Sequence, residues 1–439
     1  MLLDKTFDER AKKNKLAVGF DLRNDFTQIS FCMLNQSVPD TFSMVAGEEE
    51  FDIPTLLCRL KEQDKWLIGR EALEAAHRGE GILVEDLILL AKGKTSAYLE
   101  EKEYPIETIF ELFIKKCLLM VAPLGKIEDV VAIAVTLREL DDNLMQVIKK
   151  AVENISKSEI ALSFLTYEDC FFQYLIHQPQ EMWMHDVLLY HYRKDGIMSY
   201  YMQMNRSVTP CVCFIEKAFH PQMKMTDMSE FSDQEKKAYL QQLDDAFLEM
   251  NHTLCDGKTL ACTFLLGERF AGNWCKQSIQ YLCKAGRVFQ GTNLFSKGAC
   301  YHAREKAAPS SLLQEYCYLS EDKLKVNIGI ICNDRGEDKT LTLLKAGTSW
   351  FEATADFDVI LVKDNRISLV ISPIDGSNYK VADITLEGFQ ARGNRTNRMG
   401  IHLEMTDKET MQVEIRDKGF GEFFASTGQI WRESFSVVS

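Results

Sequence analysis

No apolar stretch in this sequence approaches the ~20 residues that cross a bilayer as a helix. Runs such as Val130 to Val135 are far shorter. The N-terminus, MLLDKTFDERAKKNK, mixes acids and bases without a continuous apolar segment, so it is not expected to act as a secretory signal. An excess of base is also missing. Lys and Arg number 51 against 65 Asp and Glu, a formal charge of −14, which repels a phosphate backbone and argues against nucleic-acid binding. The thirteen cysteines lack the spacing of a disulfide framework. Scattered through apolar segments, as Cys32, Cys117, Cys262 and Cys283 are, they fit a reducing compartment and the role of small buried hydrophobes. Cys211 with Cys213, and His252 with Cys255, have no second pair at zinc-finger spacing, so no metal site is expected. These absences predict a soluble, cytoplasmic chain without membrane or nucleic-acid partners.

What is present is ordinary globular material, 46% hydrophobic and 26% charged, in a chain of 439 residues. That length exceeds what one core usually supports, so two or three domains are expected. LAVGF and TQISFCML read as two strands joined by the polar turn Asp21 to Asp25, a β-hairpin. Ile109, Phe113 and Leu118 mark a helix over Glu107 to Met120, which leads into the β-branched strand Val130 to Val135. Asp141 and Asp142 then suit a helix start, with Leu144, Ile148, Ala151 and Val152 at helical spacing. After the strand ALSFL and a further helix comes a second hairpin, VLLYHY and IMSYYMQM, about Arg193 to Gly196. Two copies of one pattern, each a hairpin continuing into strand and helix units, suggest an internally duplicated α/β domain over residues 1–303.

Residues 304–322, with Ala307, Ala308, Pro309, Ser310 and Ser311, form the linker candidate. From 323 to 439 the texture changes to alternating strands such as KVNIGIIC, RISLVISPI and TMQVEIRD, an antiparallel β-sandwich.

In that order the segments resemble the seventy-kilodalton heat-shock chaperones. VGFDLRNDFTQISF is similar to their first phosphate hairpin, WLIGREALEAA to their L-I-G-x-x-A segment, and VVAIAVTLRELDDNLMQVIKKAVENI to their V-I-T-V-P strand with its helix. SFLTYEDCFFQYL resembles I-N-E-P-T-A-A-A. ITLEGFQARGNRTNRMGIHLEMTDKETMQVEIRDKGFGE follows the phrase that runs through their substrate-binding sandwich. The resemblance implies an actin-like (ribonuclease-H-like, duplicated) two-lobed domain, then a substrate-binding-type sandwich without the helical lid.

The chemistry departs from that family. Closing backbone amides around phosphate oxygens calls for glycine-rich turns. The first turn here keeps Asp21, the acid that would orient magnesium, but carries Arg23, Asn24 and Asp25 where the family has glycine and threonines. The second reads His191-Tyr192-Arg193-Lys194-Asp195-Gly196 and loses both acid and glycine run. Leu87 or Ile88 stands in place of the lysine that positions water, with Lys92 a turn away. Glu168 matches the family's glutamate, and Gly267-Glu268-Arg269 stands for the adenosine loop. The residual catalytic positions are therefore Asp21 and Glu168, and the candidate nucleotide contacts are Asp21, Arg23, Asn24, Arg193, Lys194, Gly267, Glu268 and Arg269. The reading that follows is a chaperone-like binding or scaffold protein with an inactive ATPase domain and no cofactor. The alternative is an ATP-dependent chaperone or switch holding ATP or ADP with magnesium.

A protein or peptide partner is expected on the sandwich. Trp350, Phe351 and Phe357 either line a groove at the sheet edge or belong to its core. Arg392, Arg395 and Arg398 either form a solvated loop or hold an anion or partner. The first loop, Asn333 to Lys339, carries five formal charges where the family has an apolar arch, so generic apolar peptides are not expected to bind.

Overall fold

The computed structural model describes residues 15–437 except 62, 64, 122–125, 157, 321, 335–336, 362–364, 375–377, 390–391 and 394–395, with only the backbone at 334 and 338. The chain is a mixed α/β protein that divides into two compact units. The first comprises residues 1–204 and 215–314, the second residues 205–214 and 315–439.

Two sheets of the first unit repeat one arrangement. In the first, Leu16–Leu22 pairs antiparallel with Phe26–Met33 and parallel with Val130–Thr136, which pairs parallel with Ala161–Leu165. In the second, Asp186–Arg193 pairs antiparallel with Gly196–Asn205 and parallel with Leu260–Leu266, which pairs parallel with Arg287–Gly291. The leading strands of both sheets are buried along nearly their whole length, as strands covered by helices on their faces must be.

Local sequence explains where the flanking helices start. Asp141 accepts the Leu144 amide at 3.0 Å and caps Asp142–Ile155, while Thr166 and Asp169 form a reciprocal capping box at the head of Tyr167–Ile176. Such caps answer amides that the first turn of a helix leaves without a partner. A third helix, Leu294–Ala307, packs on Leu16–Leu22 and on Tyr167–Ile176. Its crossing with the latter is close enough that a Cβ added at Gly298 would stand 2.1 Å from the Cys170 carbonyl oxygen. Beneath the second sheet, Asp233–Cys255 and Lys276–Ala285 close a core of Tyr190, Phe247, Phe270 and Trp274.

Residues 304–322 are not a plain linker. Helix Leu294–Ala307 runs into them, Leu312–Glu315 is helical, and Tyr316–Tyr318 is a strand. Glu305, 3% exposed, fixes the helix end by accepting from the Ser310 amide at 2.7 Å and meeting the buried His177 ring at 3.2 Å.

In the second unit, Cys211–Cys213 pairs in parallel with Tyr316–Tyr318. Two four-stranded antiparallel sheets follow, one of Val326–Asp334, Glu337–Leu344, Arg366–Pro373 and Lys380–Thr385, the other of Thr354–Leu361, Asn397–Met405, Thr410–Asp417 and Ile430–Ser436. Alternate residues from both, such as Ile328, Leu369, Ile401, Leu403 and Val413, meet in one core, the two-residue period of a strand with one buried face. The segment read as a charged loop, Asn333 to Lys339, is mostly strand. Cys332 faces Lys339, Asn333 faces Asp338, and Asp334 faces Glu337, which leaves only residues 335–336 between the strands, outside the described set.

Among the described residues no helix is long and apolar enough to cross a membrane.

Candidate functional site

In the first unit, the turns of both hairpins and the loop after Leu260–Leu266 border a cavity of about 710 Å³, a volume suited to a small molecule. Arg23, Asn24, Arg193, Lys194, Gly267, Glu268 and Arg269 all line it. Asp21 lies buried beside it, at 0% exposure.

The pairing register puts Asp21 and His191 in corresponding places. Asp21 stands opposite Thr136 at the end of its parallel neighbour, and His191 stands opposite Leu266 at the end of its own. A carboxylate in one sheet thus answers an imidazole in the other. Burial, followed by the nearby charges of Arg23 and Arg193, pushes the His191 pKa well below the ordinary histidine value. This ring is held neutral.

Asp21 is already matched by a cation from its own turn. Arg23 Nε donates to Asp21 Oδ2 at 3.0 Å, and a second guanidinium nitrogen reaches the same oxygen. Burial opposes the Arg23 charge, but Asp21 and the Tyr167 ring outweigh it, and the net shift is upward. The guanidinium also lies 4.6 Å from the Phe26 ring centre and 5.7 Å from that of Tyr167, contacts that favour a cation.

Neighbouring acids are matched in the same way. Glu168, 8% exposed, pairs with Lys217 at 2.5 Å. Arg193 Nε donates to Asp195 at 2.9 Å, a bond that lowers the Asp195 pKa, and Arg138 approaches the same carboxylate at 3.5 Å. Lys194 reaches from the second turn to Asp25 of the first at 3.0 Å. Lys92 pairs with Glu139 at 3.1 Å.

Gly267 begins the loop after its strand at φ +111°, and a Cβ there would stand 2.7 Å from the Tyr192 carbonyl oxygen. Only glycine is at ease in that place. Arg269 lies 5.9 Å from the Tyr192 ring. Leu87 is fully buried, while Ile88 and the exposed Leu89 line the cavity wall.

These residues do not suit a magnesium nucleotide. One oxygen of Asp21, Oδ2, already holds Arg23 and leaves only Oδ1 for a hydrated cation, Glu168 is closed by Lys217, and no glycine run frees backbone amides at either turn.

The sequence pointed to most of the turn residues but not to Gln28, Asp52, Arg138, Tyr167 or Lys217. Gln28 was within reach, since the first hairpin's register sets it opposite Asp21. Lys217 lies 49 positions from Glu168, and nothing local to either residue announces their contact.

The partner-site candidates lie in the second unit. Trp350 and Phe357 are partly buried against its core, with Phe351 edge-on to Trp350 at 5.8 Å. The first two pack on the interior without being closed off by it, and Phe357 also borders a second cavity of about 380 Å³. Arg392 donates to Asp417, whose side chain is 1% exposed, at 3.0 Å, so it is a structural ion pair. Arg398 is held by Asp358, and Arg395 lies outside the described residues.

Two repeated sheet patterns around a cavity, with most of its acids paired internally, define a mixed α/β protein built around a charged cleft. The chain belongs to the family of unknown function DUF5716, whose C-terminal part matches residues 38–321, and residues 323–437 match the domain of unknown function DUF8552. No curated protein matches the chain.

Proposed function

We propose that this protein is a non-hydrolysing binding or scaffold protein on an actin-like frame related to the seventy-kilodalton heat-shock chaperones. The observation that carries the reading is the Arg23 guanidinium seated on the buried Asp21 carboxylate. Phosphoryl transfer is catalysed by positioned charge around the transferring group, and here the turn charges that would do this are spent on one another. The duplicated order of hairpin and parallel strands supports the actin-like frame, and the two-sheet second unit supports the chaperone relationship. A scaffold needs only its cores, and each unit has a contiguous one. The macromolecular partner is a protein or peptide, bound without magnesium nucleotide.

Steady-state phosphate release from magnesium-ATP tests the reading. Turnover indistinguishable from background is expected, and turnover abolished by Asp21→Ala would sink it. Calorimetry with ATP and ADP decides the second reading, a nucleotide-switched protein, which Gly267 and the cavity cations favour. Tight binding without turnover would establish that switch.

A further inference from the structure

Two acceptors beside the cleft have no donor. Asp21 and Gln28 are cross-strand neighbours, 0% and 1% exposed. Asp21 Oδ1 and Gln28 Oε1 meet no hydrogen-bond partner. Gln28 spends its amide on Asp52, donating from Nε2 to Oδ1 at 2.7 Å, and both residues line the cavity. Glu268 lines it as well, from the loop of the second sheet. Among the described residues neither Asp52 nor Glu268 is in an ion pair, whereas every other carboxylate bordering the cleft has its cation. Burial pushes the Asp52 pKa up, Gln28 and Arg23 oppose that, and Glu268 and Asp21 add to it. Although cations line the cavity as well, Arg269 beside Glu268 among them, these two unmatched acids and an orphaned carbonyl oxygen suit a donor that carries positive charge.

We propose that the cleft binds a small alkylamine, its ammonium group between Asp52 and Glu268 with the Gln28 carbonyl as a further acceptor. An organic cation suits the site better than a metal ion. Among the described residues no three His, Cys, Asp or Glu side chains gather to hold a metal, and about 710 Å³ is room for a molecule. Ile88, Leu89, Leu137 and Leu144 supply an apolar wall for the alkyl chain. The aromatic faces of the cleft already accept cations, as Arg23 over Phe26 and Arg269 over Tyr192 demonstrate.

The inference rests on the reading that the cleft is not a magnesium-nucleotide site. Calorimetric titration and thermal shift of the full chain with cadaverine and with spermidine test it, with magnesium chloride and ATP in separate arms. Saturable amine binding is expected, weakened at least tenfold by Glu268→Gln, an exposed position that leaves the fold intact, and likewise by Asp52→Asn. Affinity should also fall with pH from above the usual carboxylate range, as Asp52 takes up a proton. Absence of saturable binding of either amine below millimolar concentration overturns the proposal. So does binding that neither substitution weakens, or magnesium binding that depends on these two residues while the amines do not bind. ATP turnover would defeat the scaffold reading while leaving a positive amine result standing.

Discussion

Asp417 shows what one side chain can organise. Its carboxylate accepts from Arg392 at 3.0 Å, from the Gly419 amide at 2.9 Å, and from both the amide and hydroxyl of Thr427 at 2.8 Å. Two separated stretches of the second unit, around Arg392 and Thr427, are thereby tied to one strand end and to the turn that leaves it. Burial pushes the Asp417 pKa up, but the donors from Arg392, Thr427 and Gly419 outweigh it and the net shift is down. A carboxylate whose folded pKa lies below its unfolded value, about 3.9, stabilises fully above that pH and loses the contribution as pH falls further. Arg392→Leu leaves this carboxylate buried without its cation, which costs roughly 3 kcal/mol. Denaturant unfolding of the full chain at pH 7 should register that loss, and the gap to wild type should close as pH drops below about 4. Equal stabilities at pH 7 would mean that the pair is idle.

Among elements, Leu294–Ala307 packs on three strands and a helix of the first unit, Leu16–Leu22, Phe26–Met33, Val130–Thr136 and Tyr167–Ile176. It is buried on several sides, by residues as different as Phe295, Gly298, Tyr301 and Glu305, so it carries no clean polar face. Gly298→Ala would force its backbone off that of Cys170, and overpacking of this kind costs about 1–3 kcal/mol. A fall of several degrees in the melting temperature of the full chain is expected, and an unchanged or higher melting temperature would show that the crossing has slack.

The same helix explains why it was only partly legible. Sequence periodicity finds a helix by contrast between wet and dry faces, and here contrast is low, so the pattern gives no sign of its last turn. The hairpins at Asp21 and Arg193 were legible because polar turns punctuate β-branched runs. Asn333 to Lys339 resembles a loop because its charges gather at the tip of a hairpin, one strand of which, Glu337–Leu344, is a sheet edge. Within the site, turn residues could be read directly. Contacts made through the fold, such as Lys217 on Glu168 or Gln28 on Asp52, depend on distant chain segments meeting and leave little local trace.

At the scale of the whole molecule, the mouth of the cleft is fastened by charge. Lys194–Asp25 and Arg138–Asp195 join segments distant in sequence. Their side chains are 79% and 41%, and 63% and 47%, exposed. Pairs so wet are worth about 0–1 kcal/mol each and are screened within about 8 Å at physiological salt. Raising sodium chloride toward molar concentration should therefore speed amide exchange at residues 23–25 and 194–196 while the unfolding midpoint hardly moves. Exchange indifferent to salt would show that packing, not charge, holds the turns.

The division of the chain carries a consequence for its inheritance as a module. The second unit takes in ten residues, 205–214, that lie a hundred positions upstream of the rest, and Cys211–Cys213 supply the partner strand of Tyr316–Tyr318. No single scission therefore releases this unit whole and alone. A fragment covering only residues 323–437, where the second family match lies, starts life without both strands of that parallel pair. Such a piece can be shuffled among genes only by surrendering them or by carrying the intervening hundred residues with it.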